Sequence, residues 1–237
     1  AEDGIRDYKV TGVQTCALPI CGGQLAHIVI TSGPTRQYLD PVRYLTNASS
    51  GRMGAALAKA SLQRGHEVTI VTGPVAVEYP AGAKVIPVTT TPEMLEATRH
   101  AFASADGLIG AAAPCDYMPE HVEPNKLHKT GNGLTLNLRE TPDIIATLAA
   151  SKQPSQWVVA FALETEDVRF RAIVKMSKKA CDMIVSNSAQ AMNSEENSVE
   201  VILSGGNILD QLYGSKDLVA EGILRLIEKH LIHSAKC

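Results

Sequence analysis

Residues 27–54, HIVITSGPTRQYLDPVRYLTNASSGRMG, restrict the fold more than any other stretch of this chain. His27 to Ile30 is a β-branched run suited to a buried strand, and Ser32-Gly33-Pro34-Thr35 is a turn that ends it. Small residues return at Ser49, Ser50, Gly51 and Gly54, just before MGAALAKASLQRG, whose alanine and leucine content favours a helix. A helix that opens in small residues presents free backbone N–H groups and a positive dipole end, which suits a phosphate. An ordinary N-cap supplied by Ser49 or Ser50 satisfies the same pattern. These residues alone do not choose between the two.

The downstream pattern extends this start into a sheet. Arg64-Gly65 is a helix stop, and HEVTIVTGP (66–74) is a second strand, which completes a β-α-β unit. Val85 to Val88 is a third strand, Thr91-Pro92-Glu93 opens a helix to about Ala103, and GLIGAAA (107–113) is a small-residue strand that stops at Pro114. This alternation predicts an α/β fold: a doubly wound, mostly parallel, Rossmann-like sheet with right-handed crossovers. Ligands of such sheets sit at the carboxyl ends of the strands, where Ser32-Gly33, Thr72-Gly73 and Ala112-Ala113 would share one edge.

The regular pattern breaks between Cys115 and Arg139, where a proline-containing loop and two strand-like runs around Asn132-Gly133 predict a β-hairpin flap. It carries Lys126, His128 and Lys129, a cationic lid for an anionic substrate or simply a solvated hairpin. Thr141-Pro142-Asp143 opens a further helix by the same proline signal, and WVVAFALET from Trp157 is a buried strand. Lys175, Lys178 and Lys179 follow on a helix, with 175 and 179 on one face. CDMIVSN (181–187), SVEVILSG (198–205) and a closing helix from Ser215 to His230 end the pattern, with no internal repeat or linker.

Composition limits the function classes. With 45% hydrophobic residues and a net charge of -3, the 237 residues can bury a full core, and the mild acidity argues against a nucleic-acid surface. No apolar run approaches the ~18–20 residues that span a bilayer. Five scattered cysteines without metal-ligand spacing suit reduced thiols in a cytoplasm. The first twenty residues have neither strand nor helix period, and VTGVQTCALPI (10–20) is similar to a sequencing-library adapter translated in one frame. Residues 1–21 are therefore expected to be a non-native leader, with one domain over 22–237.

Taken together, TSGPTR with DPVRYLTNASSGRMG (31–54), AAAPCDY (111–117), NKLHK (125–129), TPDII (141–145), FALET (161–165) and K-x-x-x-K with CDMIVSN (175–187) resemble the phosphopantothenoylcysteine synthetase family of coenzyme A biosynthesis. The resemblance implies a bacterial-type ligase that joins 4'-phosphopantothenate and L-cysteine at the expense of CTP and releases CMP and pyrophosphate. It implies Mg2+ accompanying CTP, no flavin in this chain, and a cytoplasmic homodimer. A flavin-dependent decarboxylase domain ahead of residue 21 is left open.

The same resemblance implies site residues. Asn47 would hold the acyl group, Ala112, Ala113 and Asp116 would line the adjacent pocket, and Arg43 would bind the substrate's phosphate or carboxylate from the second subunit. A loop salt bridge between Asp40 and Arg43 is the alternative. Gly33, Ser49, Gly51 and Gly54 would approach the nucleotide phosphates, with Lys175 and Lys179 adding charge and Asn187 touching the nucleotide. Lys126 would stabilise charge at the α-phosphate, and Phe161 with Pro142, Asp143, Ile144 and Ile145 would enclose the cytosine. No metal ligands are identified. Pro114 and His128 depart from the family pattern, the first removing an N–H and the second a lysine of the flap. Two rivals remain: a nicotinamide-dependent reductase, disfavoured by the absence of G-x-G-x-x-G, and a non-catalytic relative, disfavoured by the intact Lys126.

Overall fold

The structure, a computed structural model, describes residues 24–164, 174, 176, 178–188 and 197–233. The expected leader, Lys175 and most of the serine- and asparagine-rich loop lie outside the described residues. Strands β1 (His27–Ser32), β4 (Glu67–Thr72), β5 (Lys84–Pro87), β6 (Gly107–Gly110), β9 (Trp157–Glu164) and β10 (Met183–Ser188) pair in parallel. β11 (Asn197–Leu203) and β12 (Ile208–Gly214) extend the sheet antiparallel. The spatial order is β12-β11-β10-β9-β6-β1-β4-β5, so the expected mostly parallel, doubly wound sheet is present.

Alternating side chains of each central strand supply two cores. Ile28 and Ile30 of β1 join Val159 and Met183 under α1 (Arg52–Gln63) and α4 (Lys216–Ile227). Val29 joins Leu108 and Val158 under α2 (Thr91–Phe102) and α3 (Ile144–Ala150). Burial on both faces explains the near-continuous apolar runs. Helix α2 begins in a capping box in which Thr90 and Glu93 satisfy each other's backbone, with Pro92 in its first turn. At the far end of α4, buried Glu228 accepts hydrogen bonds from Arg64 and His66 and ties the C-terminal helix to the α1–β4 turn.

The entry to α1 differs from a serine cap. Gly51 is the N-cap, at φ 73°, and no side chain caps the end; the first intrahelical bond runs from Ala55 N–H to the Gly51 carbonyl. A positive φ of this kind is open to glycine at little cost. One turn on, a Cβ on Gly54 would lie 2.2 Å from Ser32 Oγ, so the helix touches the end of β1 without room for a methyl group.

Three short features were not foreseen in this form. β2 (Arg36–Tyr38) and β3 (Tyr44–Thr46) make a small antiparallel ribbon between the turn at Ser32–Thr35 and the small residues from Ser49. The flap is paired only at its base, between β7 (Tyr117–Pro119) and β8 (Leu138–Glu140). The two strand-like runs around Asn132-Gly133 do not form, because only Gly131 there takes a positive φ and both flanks are exposed. A two-stranded ribbon with no face to bury is marginal in water. Pro142 also lies outside α3. Thr141 is held to the Cys115 and Asp116 carbonyls, and the helix starts after Asp143, whose carboxylate accepts from Ala146 N–H.

The loop between β7 and β8 is fastened to the β2–β3 turn. Buried Asp40 accepts from the N–H groups of Val42, Arg43 and Leu127, and from the Arg43 guanidinium at 2.5 Å. Arg43 in turn donates to the Leu127 carbonyl at 2.9 Å. Burial would raise the Asp40 carboxyl, but the three backbone donors and the Arg43 charge outweigh it and hold it at about 2. The loop salt bridge left open as the alternative for Arg43 is thus what the chain contains.

Two outcomes follow from these contacts. Gly54→Ala forces the added methyl group against Ser32 and is expected to destabilise by about 1–3 kcal/mol, read as a melting midpoint lowered by several degrees. Asp40→Asn is expected to raise the hydrogen-exchange rate of the Leu127 amide about tenfold at neutral pH. Because the Asp40 carboxyl is depressed, its contribution is present above the ordinary carboxylate range and fades as pH falls toward about 2. The exchange difference between the two proteins should therefore shrink at the acid end and persist at pH 5.

Candidate functional site

Sheet order places the site. The chain winds from β1 to β4 and β5 on one side, and from β6 to β9 and β10 on the other, so β1 and β6 flank the point where direction reverses. A crevice outside the carboxyl ends of these two strands is the expected ligand position. The turns after β1, β4 and β6 do share this edge: Ala113 N–H donates to the Gly33 carbonyl, and Gly73 N–H to the Ser32 carbonyl.

The segment after β6 is fixed by a buried hydroxyl network. Cys115 N–H donates to Thr35 Oγ1, which lies 2.8 Å from Thr91 Oγ1. Thr91 accepts from Gln37 Nε2 and donates to the Cys115 carbonyl, so its single proton is directed there and Thr35 must be the donor to Thr91. All three side chains are buried. Asn47 is attached to the same segment, its Nδ2 donating to the Pro114 carbonyl at 2.8 Å. Proline removes an N–H at position 114 but keeps the acceptor that orients the asparagine.

A cleft of about 440 Å³ opens beside this segment. Ala112, Asp116, Pro142, Asp143, Ile144, Ile145, Phe161 and Lys179 line it, so eight of the expected site residues meet there. Tyr117, Glu140, Thr141 and Lys178 line it as well and were not anticipated. Their positions depend on the pairing of β7 with β8 and on helix phase, neither of which the sequence pattern reveals. Lys179 Nζ lies 3.0 Å from Asp143 Oδ2. Burial raises the Asp143 carboxyl, but the Ala146 N–H and Lys179 outweigh it and draw it down.

A second, smaller hollow of about 190 Å³ lies across Phe161, which lines both. Ser49, Gly51 and Asn187 of the expected set are here, together with Ala111, Arg52, Asn197 and Lys216. The opening of α1 thus faces a hollow rather than a capping side chain. Arg52 adjoins Gly51 in the sequence and was open to detection; Asn197 and Lys216 arrive through the antiparallel turn-back of β11 and β12, which carries no motif.

The remaining expected residues stand apart from both linings. Lys126 is exposed on the flap loop, next to the anchored Leu127. Arg43 is engaged by Asp40 and Leu127 of its own chain. Gly33 is at the β1 turn with φ 71°, and Gly54 is buried against Ser32. Among the described residues no cluster of three His, Cys, Asp or Glu could hold a metal ion, and no helix is long and apolar enough to cross a membrane.

Known proteins with these features share this architecture. Residues 24–231 match the family described as the DNA/pantothenate metabolism flavoprotein C-terminal domain. The coenzyme A biosynthesis bifunctional protein CoaBC of Vibrio parahaemolyticus is 41% identical over 187 residues, which cover 76% of this chain and 47% of that protein. The protein of the same name from Bacillus subtilis is 39% identical over 186 residues, 76% of this chain and 46% of that one. The chain thus spans about half the length of the curated relatives it matches. A crystal structure of the C-terminal domain of a CoaBC protein superposes with a TM-score of 0.75 at 35% identity, covering 86% of this chain and 95% of that domain. On the match over nearly all described residues and the identity to these relatives, the chain belongs to the DNA/pantothenate metabolism flavoprotein C-terminal domain family.

Proposed function

We propose that the chain is a phosphopantothenate–cysteine ligase that activates 4'-phosphopantothenate with CTP. The substrate carboxylate attacks the α-phosphate and expels pyrophosphate, leaving an acyl-cytidylate. The amine of L-cysteine then attacks the acyl carbon, loses a proton, and displaces CMP. Such chemistry depends on positioning and charge neutralisation more than on a side-chain nucleophile.

The observation that carries this reading is the divided crevice at the sheet's switch point, with Asn47 held against the segment that forms its floor. Phe161 and residues 142–145 offer an apolar slot suited to a base, and Asp116 and Asn47 flank the place where an acyl group would meet the α-phosphate. The uncapped end of α1 faces the adjoining hollow, as a phosphate chain requires. Lys126 would reach the α-phosphate when the flap lies over the cleft; among the described residues no carboxylate pairs with it. Magnesium would enter with the nucleotide; of the cleft's three carboxylates Asp143 is paired with Lys179, which leaves Asp116 and Glu140 to serve it. The relatives' role in coenzyme A biosynthesis supports the substrate class.

A homodimer, in a cytoplasmic setting, belongs to the same proposal. Val42, Tyr44, Tyr117, Val122, Leu134 and Leu138 are exposed on the β2–β3 ribbon and the flap, apolar side chains that a second subunit would cover. Arg43 would serve a partner's substrate from this surface through the part of its guanidinium that Asp40 and Leu127 leave free.

Pyrophosphate release with CTP, phosphopantothenate and cysteine is expected to exceed that with ATP, and absence of release with either nucleotide refutes the assignment. Lys126→Ala should lower kcat by roughly a hundredfold with a smaller change in KM for CTP, as expected for a group acting on developing charge. Asn47→Asp should slow formation of the product amide, and unchanged turnover would remove Asn47 from the site.

A further inference from the structure

The hollow at the start of α1 is built of more than a helix end. Arg52, the first residue of α1, and Lys216, the first of α4, both line it. Among the described residues neither cation has a carboxylate partner, and Asp217 beside Lys216 is taken by Lys59 at 2.6 Å. Burial, and then the charge on Arg52, push the Lys216 ammonium down, so the two cations face one another without a counter-charge.

Asn197 supplies the second observation. It is 3% exposed, lines the hollow, and its Oδ1 accepts from Lys216 Nζ at 3.1 Å. An ammonium only donates, so the amide oxygen must face Lys216 and the Nδ2 donor must point elsewhere. That donor has no acceptor among the described residues. A buried N–H of this kind carries its full desolvation cost unless a ligand meets it. Together with the uncapped N–H groups at residues 52–54, the hollow gathers donors and positive charge from Arg52, Lys216 and the helix end, beside one buried acceptor, the Asn187 Oδ1, that is likewise without a partner among the described residues.

We propose that Arg52, Lys216 and Asn197 complete, with the opening of α1, a subsite for a multiply charged phosphoryl group: the β- and γ-phosphates of the nucleotide, which leave as pyrophosphate. This rests on the ligase reading for its choice of ligand. With the base in the slot beyond Phe161 and the acyl group near Asn47, the phosphate chain runs across Ala111 and Phe161 into the second hollow. The subsite holds the leaving group's growing charge as the bond to the α-phosphate breaks, with no proton transfer required of any of the three residues.

The test is direct binding of inorganic pyrophosphate to the full chain by titration calorimetry, with CMP and phosphopantothenate as separate ligands. Lys216→Met and Arg52→Gln are each expected to weaken pyrophosphate binding about ten- to a hundredfold, with Lys216→Arg restoring most of it. CMP, which lacks the terminal phosphates, should bind all variants within about twofold of the parent. Unchanged pyrophosphate affinity in both variants with parental melting midpoints, or no binding by the parent protein at millimolar ligand, would overturn the subsite. A loss for phosphopantothenate instead of pyrophosphate would overturn its assignment to the nucleotide. Because binding is read without turnover, a chain that takes up pyrophosphate through Lys216 yet releases none from CTP or ATP would refute the ligase reading and leave the subsite standing.

Discussion

The contact between Ser32 and Gly54 governs the geometry of this molecule. It seats α1 directly on the carboxyl end of β1, where a single added methyl group would collide with the serine. Ser32 also donates to the Gly51 carbonyl, and the Tyr79 hydroxyl donates to Ser32, so the left-handed entry to the helix is fixed from below. With its cap position filled by a glycine that has no side chain to offer, the helix keeps its free N–H groups for whatever occupies the hollow. The close approach, the positive φ and the uncapped end are therefore one arrangement seen at three residues.

The same edge of the sheet collects the other parts of the site by different means. Cys115 and its neighbours are held by threonine hydroxyls whose protons are all directed, which fixes the Pro114 carbonyl and through it Asn47. Leu127 is held at both its N–H and its carbonyl by the Asp40–Arg43 pair, which sets the root of the segment carrying Lys126. A salt bridge with one member exposed contributes little by itself. Here its value lies in the backbone it grips, since each of the two side chains bonds a different end of the same residue.

How much of this was legible in the sequence depends on burial. Strands covered on both faces, such as β1 and β9, write their identity as apolar runs, and the proline and glycine signals around α2 and α1 mark their ends within a few residues. β12 lies at the sheet margin with most of its residues open to solvent, so ILDQLYG carries no alternation strong enough to identify it. The flap misled for a related reason: Asn-Gly between apolar residues is a hairpin signal only when a face is available to bury them, and none is present from residue 120 to 137. In the site, Ala112, Asp116, residues 142–145 and Phe161 line one cleft, while Lys126, Arg43, Gly33 and Gly54 of equally contiguous motifs stand apart from it; Lys216 and Asn197 are brought to the second hollow by tertiary turn-back and leave no local mark.

Charge pairing refines which cations can act on phosphates. Lys179 was expected to add positive charge, yet Asp143 sits 3.0 Å from it and also caps α3, so the pair presents a dipole rather than a net charge to the cleft. Arg43 is compensated by Asp40 in the same way. Lys126, Arg52 and Lys216 have no such partner among the described residues. Uncompensated cations gain most when an anion arrives, because no existing pair has to be broken. The three also come from separate parts of the chain: the flap, the first helix after the switch-point turn, and the helix that follows the antiparallel extension. Arg52 and Lys216 meet at the hollow beside α1, while Lys126 stands on the flap loop apart from it. Unpaired charge gathered in a hollow is difficult to explain by stability, which a neutral lining would serve at lower desolvation cost. The ligase proposed above would have a use for such charge at two places at once, the attacked phosphorus and the departing phosphates.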